Sequence, residues 1–100
     1  MNTYAELEKS ANEGEIRIRK LLSEQIRRHD YSFWFSEDKD VWSKGVAEIE
    51  QIKGTIGVLV GLCRIDAQEL LDECLAEFAG EGDYKQLARK YITKWFNEYL

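Results

Sequence analysis

Two stretches of this chain place apolar or small residues at alternating steps of three and four. In the first they are Tyr4, Leu7, Ala11, Gly14, Ile18, Leu21 and Gln25, widened by Leu22 and Ile26. In the second they are Trp42, Gly45, Ile49, Ile52, Ile56, Leu59 and Cys63, flanked by Val46 and Val60. Such spacing returns to one side of a helix every two turns, so each stretch predicts a long amphipathic helix, over about 3–28 and 38–63. Strands repeat at every second residue and cannot use this pattern. The absence of proline from all 100 residues agrees, because helix interiors exclude it whereas loops and strand edges normally use some.

Two shorter helices are predicted beyond residue 65. Asp66-Ala67-Gln68-Glu69 has the form of a capping box and opens a stripe of Ala67, Leu70, Leu71, Cys74, Leu75 and Phe78. Gly80-Glu81-Gly82 ends it. Asp83-Tyr84-Lys85-Gln86 reads as a second capping box. It opens a face of Tyr84, Leu87, Ala88, Tyr91, Ile92, Trp95, Phe96, Tyr99 and Leu100. The expected fold is all-α: one domain over 1–100, in which two long antiparallel helices and a C-terminal α-hairpin make a small helical bundle.

Charge is unevenly placed. The chain carries a net −5. Residues 66–82 alone hold six carboxylates and no basic group, while 83–100 carry a net +2. The last two helices are therefore expected to attract each other. The carboxylates of Glu69, Asp72, Glu73, Glu77 and Glu81 form a candidate acidic face. In the first segment Arg17, Lys20, Arg27 and Arg28 are the candidates for meeting phosphates. Glu13, Glu15 and Glu24 neutralise the same helix and the whole chain is acidic, so nucleic-acid binding is the lesser expectation.

Catalytic chemistry finds little material. One histidine and two cysteines offer neither a nucleophilic triad nor metal-ligand spacing, and the carboxylates lie on polar helix faces. His29 closes the first helix, where a protonated imidazole suits the helix C-terminus. Glu48 and Glu50 point to different sides. Gly54, Gly57 and Gly61 lie inside an apolar helical run and do not resemble a phosphate loop. No catalytic residue, cofactor or metal is expected. The N-terminus has no apolar signal core, and the longest apolar run, Thr55 to Cys63, is too short to cross a bilayer, so the expected location is cytoplasmic, without a membrane role. Cys63 and Cys74 are read as reduced core residues, with a bridge as the alternative.

Partner binding is what remains. Three Trp, five Tyr and four Phe are more than a small bundle readily covers, and a homodimer would bury the surplus. The connector residues Tyr31, Phe33, Trp34 and Phe35 are candidate contact anchors, or else plugs for the end of the bundle. Gly54, Gly57 and Gly61 share one helix face. They are expected to admit another backbone at close range, unless they merely end or bend the helix near Gly54.

The run Val41-Trp42-Ser43-Lys44-Gly45-Val46-Ala47-Glu48-Ile49-Glu50-Gln51-Ile52-Lys53-Gly54, continuing to Leu62, resembles short helical accessory proteins of tailed phages. In those a Trp precedes a helix with a recurring glycine-and-glutamate cadence. The resemblance spans about residues 41–62 and implies an assembly or adaptor component, or a small inhibitor of a host enzyme or nucleic-acid-binding complex. It carries over no functional residue.

Overall fold

The computed structural model describes residues 3–100, and the side chains of residues 12–100. Four α-helices account for most of it: α1 Thr3–Arg28, α2 Lys39–Gly57, α3 Ala67–Ala76 and α4 Asp83–Phe96. No strand occurs among the described residues. The fold is all-α, as the spacing predicts. Tyr4, Leu7 and Ala11 of the first stripe lie outside the described side chains.

The core draws on every helix. Leu22 and Ile26 of α1, Ile52 and Ile56 of α2, Leu70 of α3, and Ala88, Ile92 and Phe96 of α4 are all buried in one cluster. The first stripe is corrected in phase. Leu21 is half exposed, whereas Leu22 and Ile26, at its edge, are fully buried. A straight α-helix has 3.6 residues per turn, so a stripe of alternating threes and fours drifts about 20° per heptad, and the buried line moves over to Leu22 and Ile26. A second side of α1 is also occupied, since Arg19 and Ser23 reach α3.

α2 begins where Asp38, in extended conformation, accepts a hydrogen bond from the Asp40 N–H at 2.9 Å. Gly45, Ile49, Ile52 and Ile56 are buried along it, but Trp42, first in the stripe, stays 42% exposed. The expected α-helix through Cys63 stops at Gly57. Val58–Leu62 form a wider π-helical turn, in which the Cys63 N–H reaches back to the Val58 carbonyl at 3.0 Å. The chain leaves through Arg64, whose φ of 56° is left-handed, and the Ile65 N–H binds the Leu59 carbonyl at 3.1 Å. The wide turn keeps Leu59 in the core and turns Leu62 out to solvent.

Asp66 caps α3 by accepting from the Glu69 N–H at 3.3 Å. The second capping box does not form. Gly82 takes the cap position with φ 130°, a conformation that glycine adopts without strain, and Asp83 already lies inside α4. The turn before it is pinned by α4: Arg89 donates to the carbonyls of Phe78 and Gly80, and Lys85 to that of Ala79. None of the described helices is long and apolar enough to cross a membrane.

Candidate interaction surface

The aromatic connector divides into an inner and an outer half. A single 3-10 turn, Phe33–Phe35, carries one buried ring, Phe33, and two that reach solvent, Trp34 and Phe35. Tyr31 and Phe33 are each 1% exposed. The Tyr31 hydroxyl donates to the Ile26 carbonyl at 2.9 Å, and burial pushes its ionisation far above the ordinary phenol value. Phe33 lies over Gly45, where a Cβ would overlap its ring. These two residues plug the bundle end and leave the set of contact candidates. Trp34 and Phe35 remain in it.

The outer half continues onto α2. Trp34 meets Trp42 edge-on at 5.3 Å between centroids and stacks on Tyr91 at 6.1 Å. Phe35 is 74% exposed, and Trp34, Val41 and Trp42 are each more than a third exposed. Beside Trp34 a cleft of about 430 Å3 is floored by Ile49 and Trp95 and edged by Lys53, Lys94, Glu50 and Glu98. Val41 and Trp42 are not among the contact candidates that the sequence offers, although Trp42 heads its stripe. The signal available was that Trp42 stands at the open first position of its stripe, beside an aromatic connector.

The glycine face offers no close packing among the described residues. Nothing lies within 4 Å of a Cβ placed on Gly54 or Gly61, and on Gly57 it would meet only the Tyr99 hydroxyl at 3.0 Å. The closely packed glycine is Gly45. It was read simply as a member of the apolar stripe.

α3 packs against α4 as expected, but its carboxylates find their side-chain partners on α1, and no ion pair joins α3 to α4 among the described residues. Glu73 receives Arg19 through both carboxylate oxygens at 2.7 and 2.8 Å, and Glu77 accepts from the Ser23 hydroxyl at 2.7 Å with Arg27 at 3.9 Å. The α4 cations Lys85 and Arg89 are used instead on the Ala79 and Gly80 carbonyls of the turn that follows α3. Asp72 accepts from Gln68. Glu69 and Glu81 make no ion pair among the described residues. Of the basic candidates, Arg17, Lys20 and Arg28 are exposed, while Arg27 leans toward Glu77.

His29 is 2% exposed, in an aromatic box of Tyr31, Phe33 and Trp95 with ring centroids at 4.9, 5.4 and 5.7 Å. Its Nδ1 lies 3.2 Å from Glu48 Oε1, while Nε2 is buried with no partner. Nδ1 is the nitrogen placed to donate to the Glu48 carboxylate, which can only accept. The pair ties the end of α1 to the middle of α2, and its unpartnered nitrogen opens into no described cavity. Both cysteines are free, Cys74 buried and Cys63 half-buried. Among the described residues no group of three His, Cys, Asp or Glu converges in a metal-binding arrangement.

No protein-family model, curated protein or solved structure matches this chain.

Proposed function

We propose that this chain is a small non-enzymatic protein–protein interaction protein that works as a homodimer through Trp34, Phe35, Val41 and Trp42. It would serve in the host cytoplasm or the particle, as the phage or prophage assembly adaptor that the resemblance of residues 41–62 implies. In this reading the bundle has α1 antiparallel to α2, with α3 and α4 as an α-hairpin laid against them. Support for that order comes from His29 lying beside Glu48, while Gln25, one turn earlier in α1, shares a cavity with Gln51 and Ile52, further along α2.

One observation carries the functional reading: four large apolar side chains, two of them Trp, crowd one end of the molecule in contact with solvent. Interface energy concentrates in such aromatic anchors, and a twofold axis through the patch would let each copy cover the other. Light scattering at micromolar concentration should give twice the 11.7 kDa chain mass. Phe35→Asp should give a monomer with unchanged helical circular dichroism. A wild-type monomer at high micromolar concentration would defeat the proposal.

A further inference from the structure

An open groove of about 310 Å3 runs between α1 and α3. Its floor is Leu22, Leu70 and Cys74, none more than 5% exposed, and Ile16 supplies a half-exposed wall. Burial, with Glu73 and Glu77 nearby, pushes the Cys74 thiol up to about 12, so the floor carries no charge at neutral pH. Two polar contacts cross the lip, Arg19 to Glu73 and Ser23 to Glu77. Arg19 thus sets a cation against Glu73, and Arg27 stands 3.9 Å from Glu77, so each carboxylate has a positive charge beside it. Lys20 also lines the groove, and it belongs to no ion pair among the described residues.

Size and access narrow the occupant. The crossings stand one helical turn apart, too close to admit a second helix roughly 10 Å wide. That leaves slimmer occupants, of which an extended methylene chain suits the apolar floor. Dry apolar cavities of roughly 150 Å3 take up a benzene-sized guest, so about twice that volume holds a chain of about eight to ten carbons. We propose that this groove binds a free medium-chain carboxylate, its aliphatic chain on Leu22, Leu70 and Cys74 and its head group on Lys20. This site is separate from the aromatic patch and does not depend on it.

The test titrates octanoate and decanoate, below their aggregation thresholds, into the full chain while its methyl resonances are followed by NMR. Saturable shifts are expected at Leu22 and Leu70, with decanoate about tenfold tighter for its two added methylenes. Lys20→Glu should weaken decanoate about two- to fivefold, as loss of an exposed ion pair does. Decyltrimethylammonium should bind more weakly than decanoate. Ser23→Trp fills the mouth from the rim, and Ile16→Asp places a carboxylate on the exposed wall without touching the core. Both should abolish the shifts. Shifts confined to the Trp34 patch, equal affinity for the cationic amphiphile, uptake only with phosphatidylglycerol vesicles, or undiminished binding by Ile16→Asp would each overturn the proposal.

Discussion

Gly45 and Gly54 lie in the same helix, yet a single added methyl group should act on them in opposite directions. Gly54 has open space where its Cβ would stand. Gly54→Ala should therefore gain the helix propensity that glycine lacks, about 1 kcal/mol. For a chain of this size that raises Tm by roughly 4–8 °C. At Gly45 the new Cβ would meet three carbons of the Phe33 ring, which is itself fully buried and cannot swing away. Gly45→Ala should destabilise by about 2–3 kcal/mol from overpacking, more than propensity offsets. Thermal unfolding of the two variants beside wild type checks both signs. Asp30 provides a titration at the same scale. Its carboxylate accepts from the Ser32 hydroxyl at 2.6 Å and from the Ser32 N–H at 2.9 Å. These bonds hold its pKa below the usual carboxylate range. The folded value is the lower one, so the contribution is present above the unfolded value near 3.9 and is lost as pH falls through the folded value. The group is exposed, so the effect on stability is small and the NMR midpoint is the better measure. Ser32→Ala should move that midpoint upward, and an unmoved midpoint would show that the backbone bond alone sets it.

At the scale of elements, periodicity located all four helices and the end of α1 at Arg28, but not how α2 ends or α4 begins. The α2 stripe through Gly45, Ile49, Ile52 and Ile56 was legible because equal spacing means equal facing in any straight helix. The π-helical turn at Val58–Leu62 was not, since the apolar run Thr55–Cys63 carries no local signal for it, while Leu59 and Ile65 both end in the common core. The false capping box at Asp83 shows a related limit. Asp-x-x-Gln satisfies the local rule, but the chain reverses through Gly80 and Gly82, both with positive φ, and the helix starts one residue early. What fixes that reversal is a side chain from the far side of the turn. Arg89 donates to Phe78 and Gly80 carbonyls that no helix bond satisfies. Hydrogen bonds from a charged donor contribute about 1.5–3 kcal/mol. Arg89→Ala should therefore destabilise by about 2 kcal/mol, visible as a lower urea midpoint at unchanged m-value. Arg89→Lys should recover only part of it, because one ammonium does not reproduce the guanidinium's geometry at two carbonyls. A variant as stable as wild type would show that the glycines alone define the turn.

For the whole molecule, the contacts between helices were the least legible feature, because they join residues far apart in sequence. His29 and Glu48 meet across two helices, and nothing in either's neighbourhood signals the other. α3 does pack against α4, as the opposite segment charges suggest, but charge totals carry no direction: the carboxylates of Glu73 and Glu77 face Arg19 and Ser23 of α1 instead. The excess of aromatics was legible, though its division was not: Tyr31, Phe33 and Trp95 close the core, leaving Trp34, Phe35 and Trp42 outside. That division makes the proposed dimer measurable without any label. Trp95 is 4% exposed, against 37% for Trp34 and 42% for Trp42. In dilute solution acrylamide should quench the fluorescence of two tryptophans and spare the third. As concentration rises through the dimer dissociation constant, Trp34 and Trp42 should become protected as the patch is covered. Phe35→Asp, which puts a carboxylate at the centre of that contact, should keep both accessible at every concentration. If light scattering reports a dimer while the accessible fraction stays constant, the contact lies on another face and the aromatic patch is free for a different partner.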